Sequence, residues 1–358
     1  MKIKWLNIVL SFTISLVVLE SCRKDEVEIQ TYQFTHTGIP APPLPADNKF
    51  TFQKIELGRK LFYEKLLSKD NSISCASCHK QENGFSDEKQ FSEGVDGSLG
   101  KRQSMAIINL AWNTNEFFWD GRAHLLRDQS VMPIEDPLEM KESLDNVVSK
   151  LNANSAYREW FKKAFGSEVV TKEKIGLALE QFLMSIVSYR SKFDLYLRGK
   201  AQLTASELRG KDIFYGPVTN LPNTTKGGDC AKCHSKRNFT NNLYMNNGLD
   251  EQSAITDSGR FKVTNSAFDL ATFRVPTLRN IELTAPYMHD GRFETLEEVI
   301  DHYDNGIHPS STVDLGLSFI QNAGGLNLSV TDKADLKAFL LTLTDNSFVT
   351  DKRYSDPF

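Results

Sequence analysis

Two stretches of the chain have the spacing of apolar residues that is typical of an amphipathic helix. In the stretch from 172 to 198, apolar side chains stand at positions 175, 178, 179, 182, 183, 186 and 187. In the stretch from 331 to 343, the apolar face is formed by Leu336, Phe339, Leu340 and Leu343. Alternating apolar and polar positions, which would indicate strands, are scarce. The pattern predicts a mainly helical, all-α fold.

Each predicted helix closes one half of an internally repeated chain. Residues 58–63 (GRKLFY) recur as residues 210–215 (GKDIFY). Farther along, residues 118–122 (FWDGR) recur as residues 288–292 (MHDGR). An internal repeat indicates a structural unit that is used more than once, and 358 residues suffice for two such units. We therefore predict tandem domains over 49–200 and 201–347, followed by a C-terminal tail over 348–358.

The N-terminus predicts export from the cytoplasm. Lys2 and Lys4 precede an apolar stretch over 5–19 that is too short for a comfortable membrane span. The sequence LESC, which ends at Cys22, resembles a lipoprotein box and predicts a signal peptide over 1–21 and lipidation of Cys22. The alternative is an ordinary secretory signal with an incidental cysteine. Residues 22–48 include prolines at 40, 42, 43 and 45 and predict an extended tether.

The remaining four cysteines form two C-x-x-C-H motifs. The motifs are Cys75-Ala76-Ser77-Cys78-His79 and Cys230-Ala231-Lys232-Cys233-His234. At this spacing the two thiols reach both vinyl groups of one porphyrin, and the adjacent histidine ligates the iron. The sequence therefore predicts two covalently attached c-type haems, with His79 and His234 as iron ligands.

Other uses of paired cysteines account for the motifs less well. The pairs of a zinc ribbon lie about 15–20 residues apart, whereas Cys75 and Cys230 are separated by 155 positions. A disulfide within each pair suits an oxidising compartment but leaves the following histidines unexplained. A thioredoxin-like motif requires a βαβ context that the flanking sequence does not show.

The repeat also distinguishes the two irons. Alignment of the two Asp-Gly-Arg elements pairs Tyr303 with Pro133. Tyrosine can ligate ferric iron, whereas proline cannot ligate at all. We therefore predict that the haem of His79 is open on its far side and that Tyr303 closes the haem of His234. The alternatives are ligation by His302, Met288 or His289, and a Tyr303 that is simply packed in the core.

Together these features resemble the bacterial dihaem cytochrome c peroxidase family, which includes MauG. The resemblance covers residues 50–345 and rests on segments 57–62, 118–122, 259–261 and 278–287 and on both haem motifs. It implies a peroxide-reacting first haem and an electron-transferring second haem. It further implies reduction of hydrogen peroxide to water with electrons from a small cytochrome c or cupredoxin. The implied location is the envelope of a Gram-negative bacterium, periplasmic or surface-facing, with the lipid anchor as the only membrane attachment.

The resemblance also implies roles for individual residues. Gln129 and Glu139 match the polar pair over the open haem, where a carboxylate moves a proton of bound peroxide and an amide holds it. A solvated acid at the start of a helix is the alternative for Glu139. Trp119 matches a tryptophan that relays electrons between the haems.

The family also binds a structural Ca²⁺ between its domains. The matching positions are Gln103, Thr284 and Pro286. The family has asparagine where Gln103 stands, so this side-chain carbonyl is suitable but one methylene longer.

Two departures bear on the reaction. Many peroxidases of the family have a histidine in the loop after the first motif, and here residues 92–97 (SEGVDG) contain none. Together with Tyr303 in place of methionine, this resembles MauG. However, Gly228 stands where MauG has the tryptophan that conducts oxidising equivalents from its protein substrate. This argues against the quinone-forming reaction.

The charge of the chain bears on whether it binds nucleic acid. The net charge of −4 and the scatter of both signs provide no basic stripe, so nucleic-acid binding is not predicted. Three functions remain. They are a peroxidase, a MauG-like peroxide-dependent oxidase of a protein or organic substrate, and a non-enzymatic dihaem electron carrier. The oligomeric state, a homodimer included, is left open.

Overall fold

A computed structural model describes residues 29–34, 39–218 and 226–358. The predicted signal peptide and Cys22 therefore lie outside the described residues. The helices in the first half are α1 (Phe52–Tyr63), α2 (Cys75–Cys78), α3 (Leu126–Glu135), α4 (Leu144–Ala153), α5 (Ser155–Phe165), α6 (Lys172–Ser185) and α7 (Lys192–Leu197). Those in the second half are α8 (Ala205–Tyr215), α9 (Phe261–Thr264), α10 (Leu296–Asn305), α11 (Leu315–Asn322) and α12 (Val330–Leu341).

The structure is mostly helical, as the hydrophobic pattern predicts, but it is not purely so. Strands β1 (Tyr244–Met245) and β2 (Phe273–Arg274) pair antiparallel as a two-stranded sheet. The remaining connections are turns and short 3₁₀ segments, among them Lys65–Leu67, Leu110–Trp112 and Ile281–Leu283. In the described part of the chain, no helix is both long and apolar enough to cross a membrane.

Each half is built around one close helix crossing. Helix α1 crosses α6 at Gly58, where a β-carbon would lie 2.0 Å from the carbonyl oxygen of Ala178. Helix α8 crosses α12 at Gly210, where a β-carbon would lie 1.9 Å from the carbonyl oxygen of Asp335. Only glycine permits so close an approach of two backbones. The repeat seen in the sequence is thus a repeat of the same helix pair.

The apolar side chains form two cores. The first is built from α1, α3, α4, α5 and α6, and the second from α8, α10, α11 and α12. The C-terminal tail packs on the first core: the rings of Phe348 and Phe85 lie 5.5 Å apart, and Tyr63 Oη donates to the carbonyl of Tyr354. The described part of the predicted tether packs there too, and Trp112 Nε1 donates to the carbonyl of Pro40.

The continuous helix predicted over 172–198 is wrong. Helix α6 ends at Ser185, and the residues that follow form neither helix nor strand until α7 begins at Lys192. The amide of Ser188 donates to Asn109 Oδ1, and the amides of Tyr189 and Arg190 donate to Asp345 Oδ2. Side chains from both halves thus satisfy the backbone groups that a helix would have used. The second predicted helix, over 331–343, is present as α12.

Candidate active site

One cavity of about 1110 Å³ lies between the two halves and is lined by both C-x-x-C-H motifs. Its volume exceeds the roughly 300–1,000 Å³ of a typical single ligand site. Every predicted site residue in the described part of the chain lines this cavity. They are Cys75, Cys78, His79, Gln103, Trp119, Gln129, Glu139, Cys230, Cys233, His234, Thr284, Pro286 and Tyr303. The fold therefore brings together residues that lie far apart in the sequence.

The first motif presents its groups to the cavity from one helical turn. Helix α2 carries Cys75 and Cys78, and His79 follows as its C-cap. The Nδ1 atom of His79 lies 3.0 Å from the carbonyl oxygen of Phe85. Burial lowers the pKa of His79, so the ring is neutral. A neutral ring that donates from Nδ1 keeps the Nε2 lone pair for a metal.

The second motif repeats this arrangement. Cys230–Lys232 forms a 3₁₀ turn, and the Nδ1 atom of His234 lies 3.2 Å from the carbonyl oxygen of Phe239. Burial lowers the pKa of His234 to about 4. Burial likewise raises the pKa of the Cys230 thiol to about 12 and that of Cys233 to about 11. Both thiols are unpaired and are therefore available for covalent attachment.

A buried arginine tests whether the cavity suits a haem. Arg274 on β2 lines the cavity, is 8% exposed and donates from Nη2 to Asn242 Oδ1. Its Nε has no hydrogen-bond partner among the described residues. A buried guanidinium without a carboxylate is costly, so its position calls for an anion in the cavity. Haem carries carboxylate side chains, and paired thiols, a free histidine nitrogen and this cation fit it together.

A group of three cavity-lining residues consists of Gln129, Pro133 and Glu139. Helix α3 places Gln129 and Pro133 one turn apart on one face, and Glu139 follows in the turn after the helix. Burial and the nearby carboxylate of Asp136 raise the pKa of Glu139 to about 7, although Arg122 opposes this shift. Helix α4 begins only at Leu144, so Glu139 is not at a helix start. Near neutral pH such a carboxyl can both release and accept a proton.

The loop after the first motif fixes Glu139 through its backbone. The amide of Val95 donates to the carbonyl oxygen of Glu139 at 2.8 Å. A β-carbon at Gly94 would lie 2.1 Å from the carbonyl oxygen of Leu138, so glycine is required at this contact. Sequence reasoning noted only that this loop lacks a histidine.

Tyr303 lines the cavity from the second half. Its pKa is raised to about 12 by burial, although the Asn247 side chain lowers it through a hydrogen bond. The same Asn247 donates from Nδ2 to Met288 Sδ at 3.3 Å. His302 points elsewhere, since its Nε2 lies 3.1 Å from the carbonyl oxygen of Asn247. His289 lines the cavity but stacks on Phe273 with ring centroids 3.7 Å apart.

Trp119 lies between the halves. Its Nε1 donates to the carbonyl of Gln103 at 2.8 Å, and its own carbonyl accepts from the amide of Arg274 at 2.8 Å. The first half thus holds the indole and the second half holds the backbone carbonyl of Trp119, which lines the cavity that contains both motifs. Sequence reasoning missed Arg274 and Asn247, because nothing in the local sequence around them signals burial beside the cavity.

The three predicted calcium positions also lie at the junction of the halves. Gln103 donates from Nε2 to Ser86 Oγ at 2.8 Å and to the carbonyl of Asp87 at 3.3 Å. These bonds use the amide nitrogen of Gln103 and leave its oxygen as the acceptor. Thr284 and Pro286 line the same cavity.

Known proteins provide an independent comparison. Residues 52–202 match the family described as di-haem cytochrome c peroxidase. The methylamine utilization protein MauG of Methylorubrum extorquens is 35% identical over 305 residues, which are 84% of this chain and 81% of that protein. The cytochrome c551 peroxidase of Nitrosomonas europaea is 36% identical over 265 residues, covering 73% of this chain and 76% of that one.

A solved structure agrees with these sequences. The crystal structure of a MauG-like protein associated with microbial copper homeostasis superposes with a TM-score of 0.82 at 33% identity, covering 91% of this chain and 99% of that one. The relatives include both peroxidases and MauG proteins, so they fix the family without fixing the reaction. The predicted family is confirmed, and the chain belongs to the dihaem cytochrome c peroxidase/MauG family.

Proposed function

We propose that this protein is a peroxidase that converts one hydrogen peroxide, two protons and two electrons into two water molecules. The observation that carries the proposal is the asymmetry of the cavity. The first half contributes Gln129, Glu139 and Pro133 to the cavity wall, whereas the second half contributes Tyr303 at the position that matches Pro133. The first half thus provides groups that can transfer protons, and the second half provides a phenol that can ligate an iron.

Each half is a cytochrome c-like domain in this proposal, with the boundaries 49–200 and 201–347. Cys75 and Cys78 would hold the first haem by thioether bonds, and Cys230 and Cys233 would hold the second. His79 and His234 would ligate the two irons. When bound, the haems supply the redox-active iron that the peroxide reaction requires.

Glu139 and Gln129 provide the proton chemistry. Cleavage of the O–O bond requires a proton to move from one peroxide oxygen to the other, which then leaves as water. The Glu139 carboxylate accepts this proton and returns it, since its pKa of about 7 makes either step accessible near neutral pH. The Gln129 amide lies on the same wall and orients the peroxide by hydrogen bonds.

Trp119 and Tyr303 serve the electron path. Trp119 is fixed between the halves by its bonds to Gln103 and Arg274, so its indole connects the two sites. Tyr303 would ligate the second iron through its phenol oxygen, while Asn247 holds the side chain in place. Gln103, Thr284 and Pro286 would hold a Ca²⁺ that stabilises the junction on which this path depends.

Electrons arrive from a small redox protein, a cytochrome c or a cupredoxin, at helix α11. Leu315 and Phe319 lie one turn apart on this helix and are 86% and 62% exposed. Phe319 also lines the cavity, so its side chain would separate the second haem from solvent. An exposed apolar patch over a redox centre is suited to a transient docking partner.

The test is turnover of hydrogen peroxide by the fully haem-loaded protein with a reduced small cytochrome c. We expect steady consumption of two reduced cytochromes per peroxide. An EPR spectrum of the ferric protein should contain one high-spin and one low-spin haem. Absence of turnover would contradict a peroxidase, and two low-spin haems would instead favour a non-enzymatic electron carrier.

A MauG-like oxidase is the second candidate. It is favoured by Tyr303 and by the absence of histidine in residues 92–97, and opposed by Gly228. In an oxidase the oxidising equivalents of peroxide persist until an organic or protein substrate arrives. One equivalent of peroxide without a donor should then change the spectrum for minutes, whereas a peroxidase supplied with reduced cytochrome returns to its resting spectrum at once.

Export and lipid attachment complete the proposal. Cleavage before Cys22 and acylation of its thiol would anchor the protein in the envelope of a Gram-negative bacterium. Metabolic labelling with a radioactive fatty acid tests this point. We expect label in the wild-type protein and none in Cys22→Ala, which should be recovered in the soluble envelope fraction.

A further inference from the structure

A smaller hollow of about 280 Å³ adjoins the main cavity at Glu139. Five residues line both spaces and separate them. These are Phe118, Arg122, Pro133, Asp136 and Glu139. The hollow therefore lies on the outer side of the wall that carries the proposed proton-transfer group.

The outer rim of the hollow is in contact with solvent. It is formed by Met132 and Glu135, which line the hollow but not the main cavity. Met132 is 39% exposed, and Glu135 is exposed as well. Both belong to α3, the helix that also presents Gln129 and Pro133. A route thus leads from the surface past Met132 to Glu139.

We propose that this hollow is the access path for a small uncharged peroxide, with the side chains of Phe118 and Arg122 as its movable cover. The inference rests on the proposed function, because it names the route to the same site. It goes beyond that function by assigning residues that control which oxidants arrive.

The cover is held on its solvent side by one cation–π contact and one ion pair. The guanidinium carbon of Arg122 lies 3.5 Å from the ring centroid of Phe118, and Arg122 Nη1 donates to Asp120 Oδ1 at 3.1 Å. A cation–π contact at an exposed position is weak, so the Phe118 ring can move away from a guanidinium that stays paired with Asp120. In the second half, Met288 occupies the position of Phe118 and contacts Asn247 beside Tyr303. In the second half, side chains thus contact one another at the position where the first half has the hollow.

Charge and size together select the oxidant. The walls of the hollow contain three carboxyl groups, Glu135, Asp136 and Glu139, and one cation, Arg122. Anions are disfavoured in such surroundings, whereas uncharged hydrogen peroxide is not. The volume lies below the roughly 300–1,000 Å³ of a site for drug-sized ligands, so bulky organic peroxides should enter slowly.

Met132→Trp in the haem-loaded protein tests the path, because an indole at the rim should block it. The measurements are the rate constants for binding of hydrogen cyanide at neutral pH and for reaction with hydrogen peroxide. We expect both to fall by at least about tenfold with an unchanged EPR spectrum. Leu125→Trp is the matched control, since Leu125 is 41% exposed just before α3 and lines neither space. It should leave both rates unchanged.

Phe118→Ala provides the opposite perturbation and covers the case in which Met132→Trp does not load haem. We expect it to raise the rate with tert-butyl hydroperoxide more than the rate with hydrogen peroxide. Unchanged cyanide rates in both variants, with intact spectra, would overturn the proposed path. If cyanide rates respond while no peroxide is turned over, the path stands and the proposed peroxidase function fails.

Discussion

Helices α3 and α10 are equivalent elements of the two repeats, but they carry different functional side chains. Each has ten residues, and the eighth is Pro133 in α3 and Tyr303 in α10. At the positions that match Gln129 and Glu139, the second half has Val299 and Pro309. One scaffold thus presents a proton-transfer wall to one site and a phenol to the other. The backbone repeat supplies the position, and a few side chains decide the chemistry.

The largest effect is expected from removing the proton-transfer group. Glu139→Gln should lower the rate of the peroxide reaction by about 10²–10⁴-fold, the usual contribution of a general acid–base group. Since the pKa of Glu139 is raised to about 7, the wild-type rate should fall as the pH drops below 7 and this carboxylate becomes protonated. The variant should lose that pH dependence. Stopped-flow kinetics measures both effects.

The exposed neighbour Asp128 provides a control for this variant. Asp128→Asn changes a carboxylate on α3 that does not line the cavity, so both rate and pH profile should persist. A Glu139→Gln protein with wild-type kinetics would show that the two halves do not differ in proton transfer.

Pro133→Tyr would make the first half resemble the second. A phenol at the eighth position of α3 should reach the far side of the first haem and lower the peroxide rate by roughly a hundredfold, or about 2.7 kcal/mol in activation free energy. The EPR spectrum should change from one high-spin and one low-spin haem to two low-spin haems. A persistent high-spin signal would mean that position 133 in α3 and position 303 in α10 are not placed equivalently relative to their haem motifs.

Tyr303→Phe would make the second half resemble the first. Loss of the phenol oxygen should leave the second iron without its sixth ligand and add a high-spin signal. Tyr287→Phe is the control, because the hydroxyl of Tyr287 donates to the carbonyl of Ile281 within the described part of the chain. An unchanged low-spin spectrum in Tyr303→Phe would identify Tyr303 as a packed core residue.

The helix crossings should be equally sensitive in the two halves. A methyl group at Gly58 or Gly210 would collide with a carbonyl oxygen about 2 Å away, so Gly58→Ala and Gly210→Ala should each lower the free energy of unfolding by about 1–3 kcal/mol or more. Gly100→Ala is the control, since its nearest contact would be 3.6 Å. Urea denaturation measures all three. A large difference between Gly58→Ala and Gly210→Ala would mean that one crossing tolerates a shift.

The smallest effect concerns the donor. Phe319→Ser should raise the KM for the reduced cytochrome by ~5–30-fold, which corresponds to roughly 1–2 kcal/mol of docking energy, without changing the peroxide reaction. Phe268→Ser removes a phenylalanine that is 89% exposed elsewhere in the second half and should leave KM unchanged. Equal KM values for both variants would place the donor away from α11.

Local patterns were sufficient for part of the site. The C-x-x-C-H motifs directly predict haem attachment, because this chemistry requires two thiols and a histidine at that spacing. The repeat offset paired Pro133 with Tyr303 without coordinates, because each helix keeps the same length and register. In contrast, the apolar spacing over 172–198 could not reveal the break after Ser185. The hydrogen bonds that favour the break come from Asn109 and Asp345, far away in the chain.

The sequence by itself determined the two covalent motifs, the repeat, the helical class and the family, since each depends on residues close together in the chain. Tertiary structure alone decided how these parts combine. It buried Arg274 beside the cavity with its Nε unpaired among the described residues, tied Trp119 to both halves, raised the pKa of Glu139 through burial and formed the hollow at Met132. Burial and long-range contacts are properties of the packed chain, and no local pattern encodes them.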